Sequence, residues 1–352
     1  MNFDVHRTHL IATISFFAAM ATPPFKVDDY IALAKEGGFV ELAEWSSITI
    51  AGNDRQSFLH SFCTNDIRSL APGLSCEAFI TNVKGKVIGH ILVTCRDESL
   101  VLLTVPQQAE VLITHLDRYV IREDVQLQNS TSNRAYFLLS GESRRIESAI
   151  SMARTGDEGH SILCPLVNAE GKLGDVPVRW IAWDLLSPVF CGLVEVDTRD
   201  AGRARDALVD RQFRPCGEAA FHALRIEIGT PLFGIDFDER NLPQEVGRNE
   251  RAISFTKGCY LGQETVARID ALGHVNQQLA GVRFAGDVLP KSGDELIHAG
   301  KTVGHVTSTT YSPKLQAPLA LAMLRREQCG AGTRLESPAG PCDVIPLPVH
   351  ST

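Results

Sequence analysis

The pattern of the chain changes near Gly273, and that change does most to limit its fold. Upstream, strand-like and helix-like stretches interleave from about Asp28 onward. Downstream of Gln278 come short apolar runs and glycine-rich turns. Interleaved elements predict an α+β region rather than an all-α or all-β one. Short strands with regular turns predict a small barrel or sandwich after it. The sequence thus divides into an extension at residues 1–24, an α+β region over 25–275 and a C-terminal β-domain over 276–352.

Within the first region, a helix is predicted from Asp28 to Lys35, stopped by Gly37 and Gly38. Phe39 to Ala51 reads as strand, and Asn53 or Asp54 can cap a helix carrying Phe58, Leu59 and Phe62 on one stripe. Val87–Thr94 and Leu100–Val105 are clear strands, and Gln107–Tyr119 is an amphipathic helix. Ala135–Leu139, Trp180–Leu185 and Phe190–Val196 are further strands. Helices follow through Arg203–Val209 and Glu218–Glu227, the second ended by Gly229 and Pro231. In the C-terminal region Gly281–Phe284, Glu295–His298, Val303–Ser308 and Cys342–Leu347 are strand-like, and Leu319–Arg325 is a helix candidate.

Composition excludes several classes. With 352 residues, 44% hydrophobic and 22% charged, the chain can bury a sizeable core. Its net charge of −8 does not favour a broad nucleic-acid surface. The nine cysteines are scattered, with neither C-x-x-C nor zinc spacing, so no metal site or iron–sulfur ligand set is predicted. An odd count without a framework fits a reducing, cytoplasmic interior. The apolar run Leu10–Ala21 is too short to span a bilayer; a secretory signal at residues 1–21 or translation from Met20 are alternative readings.

The candidate for chemistry is Lys257-Gly258-Cys259-Tyr260-Leu261-Gly262-Gln263-Glu264. A cysteine beside a lysine, just before a helix, lies near unpaired backbone N–H groups and the positive end of the helix dipole. Lys257, Arg251 and Arg268 can add positive charge, which favours a reactive thiolate. Most free cysteines are instead small buried hydrophobes. Other signals fall away. Ala299-Gly300-Lys301-Thr302 is no phosphate loop, because Glu295 stands where a glycine is needed and a strand follows; it reads as a β-turn. His60, His90 and His222 lack spaced partners.

The string K-G-C-Y-x-G-Q-E resembles the signature of the YgfZ family, folate-binding relatives of the glycine-cleavage T-protein (aminomethyltransferase). The resemblance runs from about Trp45 to the C-terminal strands, and implies a T-protein-like folate-binding region followed by a β-barrel. It implies tetrahydrofolate as cofactor. Glu227, in Leu224-Arg225-Ile226-Glu227-Ile228-Gly229, takes the place of a glutamate that bonds the pterin, a task suited to a carboxylate's two acceptor oxygens. Trp45 matches an aromatic lining the folate site, with Phe221 as a second wall and Arg225 as a further contact. On local grounds Trp45 is simply a core aromatic. Gly234-Ile235-Asp236 and Pro243-Gln244-Glu245 match loop residues over the pocket, and Thr64-Asn65-Asp66 matches a helix end.

One departure stands out. Where aminomethyltransferases carry paired aspartates, this chain has Gly89 and His90, which removes the carboxylate for proton transfer at the reacting amine. His90 is a possible substitute base. The resemblance therefore implies a tetrahydrofolate-binding accessory factor for iron–sulfur proteins, including tRNA-modifying enzymes, with Cys259 as the working residue and Lys257 tuning it. Gly258 and Gly262 would keep the backbone close, Tyr260 completes the motif, and Gln263 and Glu264 open the helix. Iron–sulfur enzymes or assembly proteins are the implied partners, with no membrane association and a monomeric chain. The alternatives are a folate-dependent one-carbon transferase and an interaction module with a structural Cys259.

Overall fold

A computed structural model describes residues 25–152, 166–273 and 275–350. The N-terminal extension, its apolar run and Cys164 lie outside the described residues. Helix α1 (Val27–Ile31) leads into strands β1 (Gly38–Glu41) and β2 (Ser46–Ala51). Helix α2 (Arg55–His60) precedes β3 (Ser75–Thr81), β4 (Val87–Cys95) and β5 (Ser99–Thr104). Then come α3 (Ala109–Asp117), β6 (Gln126–Asn129), β7 (Arg134–Ser140), α4 (Ser143–Ala149) and β8 (Ser151–Met152). Strands β9 (Asn168–Leu173), β10 (Val176–Ala182) and β11 (Cys191–Asp197), helix α5 (Ala201–Asp210), β12 (Arg214–Pro215) and α6 (Glu218–Ile228) follow.

These elements form two sheets, one ordered β3-β4-β5-β2-β6 and the other β12-β1-β7-β11-β10-β9-β8. Side-chain alternation along a strand explains how they stack. Leu92 and Leu103 of the first sheet share one core with Leu138, Ile181 and Leu193 of the second, closed by Phe221 and Leu224 of α6. The residues of opposite phase face outward: Ile91, Val93 and Leu102 pack on α2 and α3 through Leu59, Leu112 and Leu116. Phe137, Trp180 and Val194 pack on α4 and α5 through Ile146, Ala204 and Leu208. The result is helix, sheet, sheet, helix, with one apolar core between the sheets.

The chain then makes two short helical segments, α7 (Asn249–Ala252) and α8 (Gln263–Leu272), before the closed barrel. The barrel strands are β13 (Gln277–Phe284), β14 (Glu295–His298), β15 (Lys301–Ser312), β16 (Ala317–Arg325), β17 (Arg334–Ser337) and β18 (Gly340–Ile345). The expectation of an α+β region followed by a β-barrel matches this architecture. The helix candidate at Leu319–Arg325 is corrected: it is strand β16, buried on both faces except at Arg325. A short continuous apolar run carries no period, so a doubly buried strand and a buried helix look alike in sequence. Ala299 and Gly300 form the expected turn between β14 and β15, both with positive φ. Among the described residues no helix is long and apolar enough to cross a membrane.

Candidate functional site

Two features carry chemistry: the cysteine loop on the surface and a buried charged cluster between the sheets. The loop is anchored from both sides. Lys257 is 8% exposed, and its ammonium donates to the carbonyls of His60, Cys63 and Asn65 at 2.6, 2.7 and 2.8 Å. It also lies 4.9 Å over the Tyr260 ring, which packs with Phe79 and Phe237. Leu261 N–H donates to the Ser61 carbonyl, and Thr81 Oγ1 donates to the Leu261 carbonyl. Gly262 begins α8 at φ +82°, where a Cβ would lie 2.3 Å from the Asn82 carbonyl oxygen and 2.7 Å from Gly85 Cα. Two glycines are therefore back to back here, the second being Gly85 at φ +73°.

Cys259 stands out from this anchored frame because it is exposed. The other described thiols are at least half-buried, and burial pushes those of Cys63, Cys76, Cys191 and Cys342 upward. The ammonium of Lys257, expected to tune the thiol, donates to three carbonyls; burial lowers its pKa, with Cys63 the largest opposing influence. Arg251 pairs with Asp184 at 2.7 Å. Gln263 and Glu264 open α8 as expected.

The interior cluster centres on Glu77, which the sequence reading missed. Glu77 is 1% exposed, and both carboxylate oxygens are fully engaged. Oε1 accepts from Trp183 Nε1 at 2.8 Å and from Arg248 Nη2. Oε2 accepts from Arg248 Nε at 2.9 Å and lies 3.1 Å from His90 Nε2. Burial opposes its ionisation, but the Arg248 charge and the bonds from His90 and Arg248 outweigh that and hold the carboxyl well below the usual range. Asp184 sits 3.9 Å from Arg248 and pairs with Arg251; burial raises its pKa despite the Arg251 charge. The signal in the sequence was a lone carboxylate on the inward phase of strand β3, where Cys76, Ala78 and Ile80 face the other way.

His90 also stacks on Phe79, its cross-strand neighbour, at 4.9 Å. Of the two positions matching the aspartate pair, it is the one that faces the interior: a Cβ on Gly89 would meet Leu112 of α3 at 2.8 Å.

The residues assigned to the folate are placed as follows. Trp45 is 9% exposed and meets Trp183 edge-on at 6.1 Å, in the same core as Phe221. The space beside them, bounded also by His90, Leu103 and Leu232, is ≈10 Å³, room for about one water. A pterin does not fit there in this conformation. Glu227 is fully buried: it accepts from Tyr30 OH at 2.5 Å, from Ser312 Oγ and from the Lys314 N–H at 3.2 Å. Arg225 pairs with Asp236 at 2.8 Å and donates to His222, Thr230 and Ser308. Both tie α6 to the barrel through Ser312, Lys314 and Ser308 of and after strand β15. Thr64 and Asn65 are likewise structural, bonding the Ala252 and Arg251 carbonyls.

A profile of the GCVT N-terminal domain matches residues 15–163, and one of the glycine cleavage T-protein C-terminal barrel domain matches residues 277–349. The chain belongs to the glycine-cleavage T-protein superfamily. Relatives in this superfamily include the aminomethyltransferase of Streptomyces avermitilis, 24% identical across 98% of this chain and 95% of its own length. That of Synechococcus sp. (strain CC9311) is 24% identical, over 87% of this chain and 84% of its own. A chloroplastic protein of Arabidopsis thaliana, provisionally named a transferase, is 26% identical over 88% of this chain and 70% of its own. The crystal structure of aminomethyltransferase T of the glycine cleavage system from Bartonella henselae superimposes with a TM-score of 0.79 at 17% identity, covering 99% of this chain and 97% of that one. This likeness establishes the T-protein fold.

Proposed function

We propose that this T-protein-superfamily chain is a tetrahydrofolate-binding accessory factor of the YgfZ type, supporting assembly or repair of iron–sulfur proteins, tRNA-modifying enzymes among them. The observation carrying this reading is Cys259: an exposed thiol on a loop anchored by Lys257, Tyr260 and Gly262. A fixed, accessible thiol suits transient holding of iron or sulfur, or exchange with a client thiol, because the partner protein meets it without reordering the loop. The second reading, a folate-dependent aminomethyltransferase, is favoured by the names of the relatives. Against it, position 90 is a histidine already paired to Glu77, and position 89 faces helix α3.

The test uses a strain lacking this gene, supplied with wild type or Cys259→Ala. Iron–sulfur enzyme activity and tRNA thiomethylation are measured, and aminomethyl transfer to tetrahydrofolate is assayed with purified protein. Rescue by wild type alone, with no transfer activity, supports the accessory factor. Transfer activity that survives Cys259→Ala would establish the second reading instead.

A further inference from the structure

On the far side of the Arg248–Glu77 pair lies a larger cleft, ≈270 Å³, between the end of α6, the segment 246–251, strand β13 and the C-terminal Leu347-Pro348. Its wall holds two arginines, Arg248 and Arg251, together with Gln278 and Thr230, and among the described residues no carboxylate lines it. Arg248 is 7% exposed. Its Nε and Nη2 are spent on Glu77, but Nη1 has no partner among the described residues. Arg251 donates to Asp184 through Nη1 alone, and among the described residues Nε and Nη2 have no partner. Two guanidinium groups thus flank Asp184 and line one cavity, each keeping N–H donors that no described residue accepts. A guanidinium held in place by an ion pair and keeping spare donors, one buried at Arg248 and one half-exposed at Arg251, matches a carboxylate, which accepts two parallel N–H bonds. The volume falls just below the ordinary range for ligand pockets, about 300–1,000 Å³, which suits a small molecule or one end of a longer one.

We propose that this cleft is a carboxylate-binding site, with Arg248 Nη1 and Arg251 as the charged donors and Gln278 as a neutral one. Two sources share that chemistry: a free small dicarboxylate, and the glutamyl end of a folate, the latter resting on the function proposed above. The second source also accounts for a folate that finds no room beside Trp45.

Binding is measured by calorimetry on the full chain with glutarate, with 5-formyltetrahydrofolate, and with its pteroyl counterpart lacking the glutamate. Wild type is compared with Arg251→Gln and with Gln278→Glu, which places a negative charge in the cleft without touching Glu77. Losing one charge-assisted bond predicts about tenfold weaker binding for Arg251→Gln, and the added carboxylate more than that. Glutarate binding that both variants weaken establishes the site for free carboxylates. Binding of the glutamyl folate but not its pteroyl counterpart, weakened by the same variants, assigns the cleft to the folate tail. The proposal is overturned if neither glutarate nor the glutamyl folate binds wild type, or if both variants leave the affinity unmoved. Should glutarate bind and neither folate, the cleft stands and the folate reading fails.

Discussion

Replacing Arg248 by methionine should expose how the interior is held together. Glu77 would stay in place, 1% exposed, with the one guanidinium bonded to it among the described residues removed. Two donors would remain, Trp183 Nε1 and His90 Nε2. Breaking a buried pair from one side costs about 3–5 kcal/mol, and the surviving donors place this case near the lower end, about 3 kcal/mol. Urea unfolding followed by tryptophan fluorescence, to which Trp183 beside Glu77 contributes, should show a midpoint lower by about 1 M. The pH dependence is the sharper test. In wild type the Glu77 pKa is depressed, so its contribution is present above the unfolded glutamate value of about 4.3 and is lost as pH falls below it. Without Arg248, burial is no longer outweighed and raises that pKa, so the variant is penalised increasingly as pH rises. The gap between the two proteins should therefore be widest at neutral pH and narrow toward pH about 4. Adding Glu77→Gln should recover most of the loss. A gap under about 1 kcal/mol, or one equal at both pH values, would refute the account.

The cysteine loop yields further expectations. Iodoacetamide should label Cys259 in the native protein, whereas Cys63, Cys76, Cys95, Cys191 and Cys342 should react only after unfolding, as peptide mass spectrometry would show. Lys257→Met leaves three carbonyls without their donor and should cost about 2–4 kcal/mol in chemical denaturation; a neutral result would mean water replaces the ammonium freely. Gly262→Ala should be strongly destabilising, by more than about 2 kcal/mol, since positive φ and the Asn82 carbonyl both oppose a Cβ. Gly258→Ala and Cys259→Ala should stay within about 0.5 kcal/mol of wild type in the same measurement.

Much of the fold was legible because it depends on local signals. Gly229 ends α6 with φ +88°, and the strands from Val87 and Leu100 carry their own apolar pattern. Strand β16 was not legible, because its two buried faces erase the period. The Glu77 cluster was hidden for another reason. Glu77 and Arg248 are 171 positions apart, and each alone looks like an ordinary surface charge. The bonds that Glu227 and Arg225 make to the barrel were hidden for the same reason, since their partners Ser312 and Ser308 lie more than 80 positions away.

The motif itself can now be divided by what packing requires. Lys257 is required by the three carbonyls it satisfies, and Tyr260 by the aromatic cluster around Phe79. Gly262 is required by its contact with Gly85. A loop held so firmly needs no cysteine to hold its shape, and Cys259 is a free thiol exposed at its surface. The frame therefore fixes where the thiol is presented, at the surface and just before the first turn of α8.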